Sequence, residues 1–219
     1  DLPEDRSGLR QKLDIPSEEI AIGLLPGSRA SEVQRILPLM LQSAQLIQKK
    51  FTQARFFLAH SSNVNPDIYE SLIRKYPGLG LRPHKNSIHS LLAAMDFALI
   101  ASGTATLEAA LIGTPFFLLY KTNWSTYLLG RCLIRVPYLG MVNLLAGKRV
   151  VPEFIQHAIS PAVIAREAEA LLNSPEAYQQ MKDQFAKVRE KLGEKGASSR
   201  AAQAILNSIR QPVPLTRSG

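Results

Sequence analysis

The sequence predicts an α/β protein built on a Rossmann-like parallel sheet covered by helices on both faces. Two observations carry this. Short apolar, branched runs alternate with segments of helical periodicity from residue 20 to residue 120, the pattern of βαβ units. Several of those runs are apolar at nearly every position, as strands buried on both faces must be.

The first strand is Ile20–Leu25, IAIGLL, which stops at a Pro-Gly-Ser-Arg turn. Over 32–50, Val33, Ile36, Leu37, Met40, Leu41, Ala44 and Ile47 recur on one helical face. Pro38 is expected to kink that helix or to mark its first turn. Ala54–Ala59 is a second strand, and a polar loop leads to a helix over 66–76. A short third strand is expected at 79–82 and a short helix at 87–95. The strand at 96–101 runs directly into Ser-Gly-Thr. Thr104–Ile112 reads as a helix closed by Gly113, and 115–120 as the next strand. Beyond 160 the chain turns helical, over 160–172, Pro175–Leu192 and 198–209, and Ser160-Pro161 and Ser174-Pro175 each pair a cap with a first-turn proline.

These spacings divide the chain into an amino-terminal linker (1–19), a Rossmann-like domain (20–159), carboxyl-terminal helices packing on it (160–210) and a disordered tail (211–219). With 46% hydrophobic residues among 219, the chain can bury a sizeable core. A single cysteine, Cys132, excludes a disulfide framework, and His60, His84, His89 and His157 lack close metal-ligand spacing. No metal and no cofactor is therefore expected. Apolar runs are too short to span a bilayer, and residues 1–19 carry acidic side chains where a signal peptide would have an apolar block. The first residue is Asp1, so the chain reads as a fragment, a processed product or an incomplete gene model.

Two places break the hydrophobic pattern at strand carboxyl ends. One is Gly27, Ser28 and Arg29, with Ser31 and Glu32 opening the next helix; the other is Ser102, Gly103 and Thr104, followed by Thr106 and Glu108. Open α/β sheets bind ligands at that edge. A small-residue turn feeding a helix offers unpaired N–H groups and a positive dipole end, which suit phosphate. Arg29 adds a forked donor, and Glu108 is a carboxylate suited to ribose hydroxyls. Either turn alone is equally well read as a routine helix cap. No GxxxxGK[ST], GxGxxG or GxSxG occurs, which removes the main support for P-loop, dinucleotide and nucleophile-elbow chemistry. His60 stands out among the histidines because it ends a strand on the edge that carries both turns.

The net charge of +8 is concentrated in part over 121–150, which holds Lys121, Arg131, Arg135, Lys148 and Arg149 with no acidic residue. Trp124, Tyr127, Leu128, Cys132, Leu133 and Ile134 are interspersed among them. This suits an anionic membrane surface or an acylated substrate, and equally a helix packed on the sheet with solvated arginines. No recognition signature accompanies the charge, so nucleic acid is not an expected partner.

IGLLPGSR at 22–29 with Ser31-Glu32-Val33, ASGTATLEAALIGTP at 101–115, Tyr120-Lys121 and Val136-Pro137-Tyr138 together resemble one family. Asn143-Leu144-Leu145-Ala146-Gly147, Val151-Pro152-Glu153 and Arg200-Ala201-Ala202-Gln203-Ala204-Ile205-Leu206 extend the likeness to most of the chain. The family is lipid-A-disaccharide synthase, an inverting glycosyltransferase of GT-B type, and the match resembles its carboxyl-terminal half. The resemblance implies condensation of UDP-2,3-diacylglucosamine with the acylated acceptor 2,3-diacylglucosamine 1-phosphate, releasing UDP, without a metal. It also implies a cytoplasmic protein, peripheral on the anionic inner-membrane surface. By the same likeness Gly27, Ser28, Arg29, Ser102, Gly103, Thr104 and Glu108 hold the donor nucleotide, with Thr106, Tyr120, Asn143 and Glu153 as outer cleft residues. The general base would lie in an amino-terminal domain that this chain lacks, so no catalytic residue is assigned and the isolated chain is expected to be nearly inactive. Exchange of terminal helices between two copies would give a homodimer. Other readings are a UDP-N-acetylglucosamine 2-epimerase, the peptidoglycan transferase that makes lipid II, or a non-catalytic nucleotide-binding module.

Overall fold

The computed structural model describes residues 5–123 and 137–192, together with Gln203 and Leu206. The aromatic and basic residues expected to mix between 124 and 136, the helix at 198–209 apart from those two residues, and the tail at 211–219 lie outside the described residues.

Six parallel strands form one sheet: β1 (Ile20–Leu25), β2 (Ala54–Ala59), β3 (Arg82–His84), β4 (Phe97–Ala101), β5 (Phe116–Tyr120) and β6 (Glu153–Ile155). Their spatial order is β3-β2-β1-β4-β5-β6, so the chain winds outward from β1 to one edge and then from β4 to the other. The reversal between β1 and β4 is the topological switch point of a doubly wound sheet. β1 and β4 pair in register from Ile22↔Phe97 to Leu25↔Ile100 and therefore end level.

The helices are α1 (Arg6–Lys12), α2 (Ala30–Lys50), α3 (Pro66–Ile73), α4 (Ile88–Ala94), α5 (Thr104–Ile112), α6 (Met141–Ala146), α7 (Pro161–Leu172) and α8 (Pro175–Leu192). All seven apolar residues expected on one face of α2 are buried, and α7 packs along that helix with Lys50 3.5 Å from Glu169. The other layer holds α4, α5 and α8, where Phe185 stacks on Phe116 of β5 at 5.7 Å. The two last described helices thus flank opposite faces of the sheet. On the face opposite Phe116, Phe97 and Phe117 meet edge to face at 4.8 Å, a favoured quadrupole geometry.

Several local outcomes differ from the sequence reading. Pro38 neither starts nor ends α2, which continues through it. The helix expected to reach residue 76 stops at Ile73. The third strand starts at Arg82, because a 3-10 turn at Pro77–Leu79 and left-handed Gly80 (φ 56°) break extension where the strand was expected to begin. Pro83 is tolerated there because β3 is an edge strand. Ser174 caps α8 through its Oγ to the Ala177 N–H at 3.2 Å, whereas Ser160 makes no side-chain cap bond.

Within the stretch read as a linker, α1 docks at the amino-terminal end of the sheet. Arg10 donates to Asp96 Oδ2 at 2.9 Å and to the Glu19 carbonyl at 2.7 Å. Asp96 Oδ2 also accepts the Ala21 N–H at 2.7 Å, which ties α1 to both β1 and the start of β4. This end is opposite the switch-point cleft.

Candidate functional site

β1 ends in Pro26-Gly27-Ser28, and Arg29 is the extended N-cap of α2. Gly27 has φ 108°, where a side chain is strained, and a Cβ there would come within 2.4 Å of Glu32 Oε2. β4 runs into Ser102, whose N–H still bonds across the sheet to Leu119 at 2.8 Å. Gly103 then caps α5. Thr104 and Ala105 open that helix, so their N–H groups have no intrahelical acceptor.

Because β1 and β4 are neighbours ending level, the two turns face one cleft of about 550 Å³. Gly27, Ser28, Arg29, Ser102, Gly103, Thr104 and Glu108 all line it. The structure brings all seven residues of the two turns together.

The outer candidates are placed elsewhere. Thr106, Tyr120, Asn143 and Glu153 are not among the described residues lining the cleft. Thr106 is buried, and its hydroxyl donates back to the Gly103 carbonyl at 2.7 Å, shaping the first turn of α5. Asn143 is fully buried and accepts the Val150 and Val151 N–H groups at 2.7 and 2.9 Å. Its amide donates to Glu153 Oε1 at 2.8 Å, and Glu153 also accepts the Leu139 and Gly140 N–H groups. Both side chains are spent on joining α6 to β6.

The opposite wall was largely missed. His60, Ser61 and Ser62 follow β2, and Lys85, Asn86 and Ile88 follow β3. A strand ending at 82 leaves Lys85 and Asn86 in mid-loop, so of this wall the sequence pattern marks only His60. The usable signal was topology: β2 pairs with β1, which brings its carboxyl end beside the Gly27 turn. Tyr69 organises this wall from beneath. Its ring stacks on His60 at 4.0 Å and 10°, and its hydroxyl accepts the Ser61 N–H at 3.1 Å. His60 Nε2 is buried without a hydrogen-bond partner. Burial first, and then the Lys85 ammonium, hold the imidazole pKa below its ordinary value, with Glu70 partly opposing, so the ring is neutral at physiological pH.

Charge in the cleft is mixed. Arg29 and Lys85 are cationic, while Glu32 and Glu108 are anionic. Glu32 lies 2.9 Å from Arg29, and Glu108 Oε2 lies 3.5 Å from His89 Nε2. Two helix amino termini add positive dipole ends. The arrangement can hold a polyanion near the turns and a hydroxyl-bearing group beside Glu108. Among the described residues no three His, Cys, Asp or Glu side chains are grouped to hold a metal ion.

The strand order and the cleft at its reversal define a doubly wound, Rossmann-like domain. Solved structures of similar fold include Anabaena HepE in complex with UDP-glucose, with TM-score 0.60 and 17% identity over 95% of this chain and 53% of that one. A Neisseria meningitidis UDP-GlcNAc 2-epimerase bound to UDP-GlcNAc follows at 0.59 and 16%, covering 92% and 48%. Among sequence relatives, lipid-A-disaccharide synthase of Syntrophus aciditrophicus is 40% identical over 190 residues, 87% of this chain and 50% of that protein. That of Persephonella marina is 36% identical over 205 residues, 92% and 54%. The family model described as lipid-A-disaccharide synthetase matches residues 2–207, and the chain belongs to that family. The chain spans about half the length of these relatives.

Proposed function

We propose that this chain is the donor-nucleotide half of the glycosyltransferase that forms the lipid A disaccharide. The donor is UDP-2,3-diacylglucosamine, with its diphosphate between the turns at 27–29 and 102–104 and its ribose hydroxyls on Glu108. One observation supports this above all: two small-residue corners from separate arms of the chain end level at the switch point, one bearing a guanidinium and the other a carboxylate. Ile88, 39% exposed on the opposite wall, offers an apolar surface for the base.

In the reaction, a hydroxyl of 2,3-diacylglucosamine 1-phosphate attacks the anomeric carbon, and UDP leaves with the electron pair of the broken bond. Negative charge grows on the departing diphosphate. Arg29 and the two helix amino termini stabilise that charge in fixed geometry. The attacking hydroxyl must lose its proton to a base. Glu32 lies at the turn that takes the diphosphate and Glu108 is given to the ribose, so both carboxylates of the cleft sit on the donor side and we assign the base to the acceptor side of the full enzyme. On this reading the 219-residue chain by itself binds UDP and turns over little.

The same reading places the protein on the anionic cytoplasmic face of the inner membrane. Among the described residues no helix is long and apolar enough to cross a membrane. The support is surface chemistry: Leu139, Met141, Leu144 and Leu145 are exposed around α6, next in sequence to Lys148 and Arg149.

Calorimetric titration with UDP tests the proposal. Arg29→Ala and Glu108→Ala should each weaken binding about tenfold, the loss of one charge-assisted contact of about 1.4 kcal/mol. An intact fold that takes up no UDP would overturn it.

A further inference from the structure

The carboxylate of Glu32 already occupies donors that the proposed function gives to phosphate. Its Oε2 accepts the Ser28 N–H at 3.1 Å, and its Oε1 accepts Arg29 Nη1 at 2.9 Å. It lies so close to the turn that a methyl on Gly27 would meet Oε2 at 2.4 Å. An anion with one oxygen on a turn amide and another on a guanidinium has the contacts of a phosphate bound at a helix amino terminus. Glu32 itself lines the cleft.

We infer that Glu32 is an internal stand-in for the donor's phosphate, which the incoming diphosphate must displace, and that it thereby sets the affinity of the cleft for nucleoside diphosphates. The inference rests on the reading that the 27–29 turn takes the diphosphate. Two consequences follow from the geometry. With Glu32 in place, the turn and Arg29 are held ready for an anion. When phosphate arrives, the two negative groups cannot share the same amide and guanidinium, so the carboxylate rotates away. Arg29 is 78% exposed, so its ion pair is a weak one that a doubly charged ligand can break. The fraction of molecules with Arg29 paired to Glu32 lowers the apparent affinity by that fraction. The competing idea is that Glu32 stays paired and orients Arg29 for the ligand; it predicts the opposite sign.

Glu32→Gln separates the two. Glutamine keeps an oxygen to accept the Ser28 N–H, so the turn stays capped, but it loses the charge. In calorimetric titrations of the full 219-residue chain, E32Q should bind UDP and inorganic pyrophosphate about fivefold more tightly than the parent, as loss of a surface ion pair allows. Uridine, which has no phosphate, should bind both proteins alike. Unchanged or weaker pyrophosphate and UDP binding by E32Q would overturn the inference. If neither protein binds UDP while pyrophosphate still gains on E32Q, the donor assignment fails and the role of Glu32 stands. If neither ligand binds either protein, both fail. Should E32Q melt early, Glu32→Asp replaces it: the shorter carboxylate cannot reach both donors, and the same gain is expected, with its absence counting against the inference.

Discussion

Gly103→Ala tests whether a glycine of the cleft is present for the ligand or for the fold. Gly103 has φ 164° and ψ −168°, extended backbone, and an added Cβ meets nothing within 4 Å. The fold should therefore accept alanine and gain about 0.4–1 kcal/mol from a less flexible unfolded chain. For a chain of this size that is a rise in Tm of roughly 1–4 °C. The ligand should not accept it. Gly103 lines the cleft beside the amides that open α5, so a methyl there, with the ~3.5 Å it requires, takes space that a phosphate oxygen needs to come within about 2.9 Å of those amides. The diphosphate must withdraw or lose those amides, a cost of at least about 1.4 kcal/mol and hence tenfold in Kd. A thermal melt read beside a UDP titration gives both quantities on one sample. UDP affinity equal to the parent's in a folded variant would refute close backbone approach at this corner, and a Tm several degrees lower would refute the argument from open space.

The other glycine of the cleft should behave oppositely. Gly27→Ala forces a side chain into φ 108° and against Glu32, so the melt should fall by the equivalent of about 1–3 kcal/mol; an unchanged Tm would refute the strain. Asn143→Ala removes the buried bridge between α6 and β6 and strands the Val151 N–H, costing about 2–4 kcal/mol, while UDP affinity in the folded protein stays at the parent's value. Tyr178 donates to the Asp96 carbonyl at 2.8 Å, and burial, reinforced by the Asp96 charge, raises its pKa to about 12. A phenol whose folded pKa exceeds its unfolded value adds stability that is complete below about pH 10 and lost as pH rises towards 12. Denaturant melts across that window should show a decline, on the order of 2 kcal/mol, that Tyr178→Phe flattens.

Much of this protein could be read from residue order. Strand and helix alternation, the buried face of α2 and the two corners at strand ends are local properties. They follow from periodicity and from the backbone demands of glycine and proline, and they are legible without knowing what packs on what. The family likeness, and not local logic, places Asn143 and Glu153 at the cleft, whereas the structure holds them in a buried hydrogen-bonded joint between α6 and β6. Local pattern reading is limited too: it fails at β3, where a buried Leu79 in a 3-10 turn resembles the start of a strand.

Strand order is not a local property. That β1 lies between β2 and β4 depends on which apolar edges pair, and pairing is settled by packing among segments dozens of residues apart. Only that order sets Gly27 and Gly103 across one cleft and adds His60 and Lys85 as its far wall. The sequence by itself determined the elements, the two corners and the family likeness. Tertiary structure decided which residues face one another, because a cleft is made of distances between chain segments that no single segment encodes.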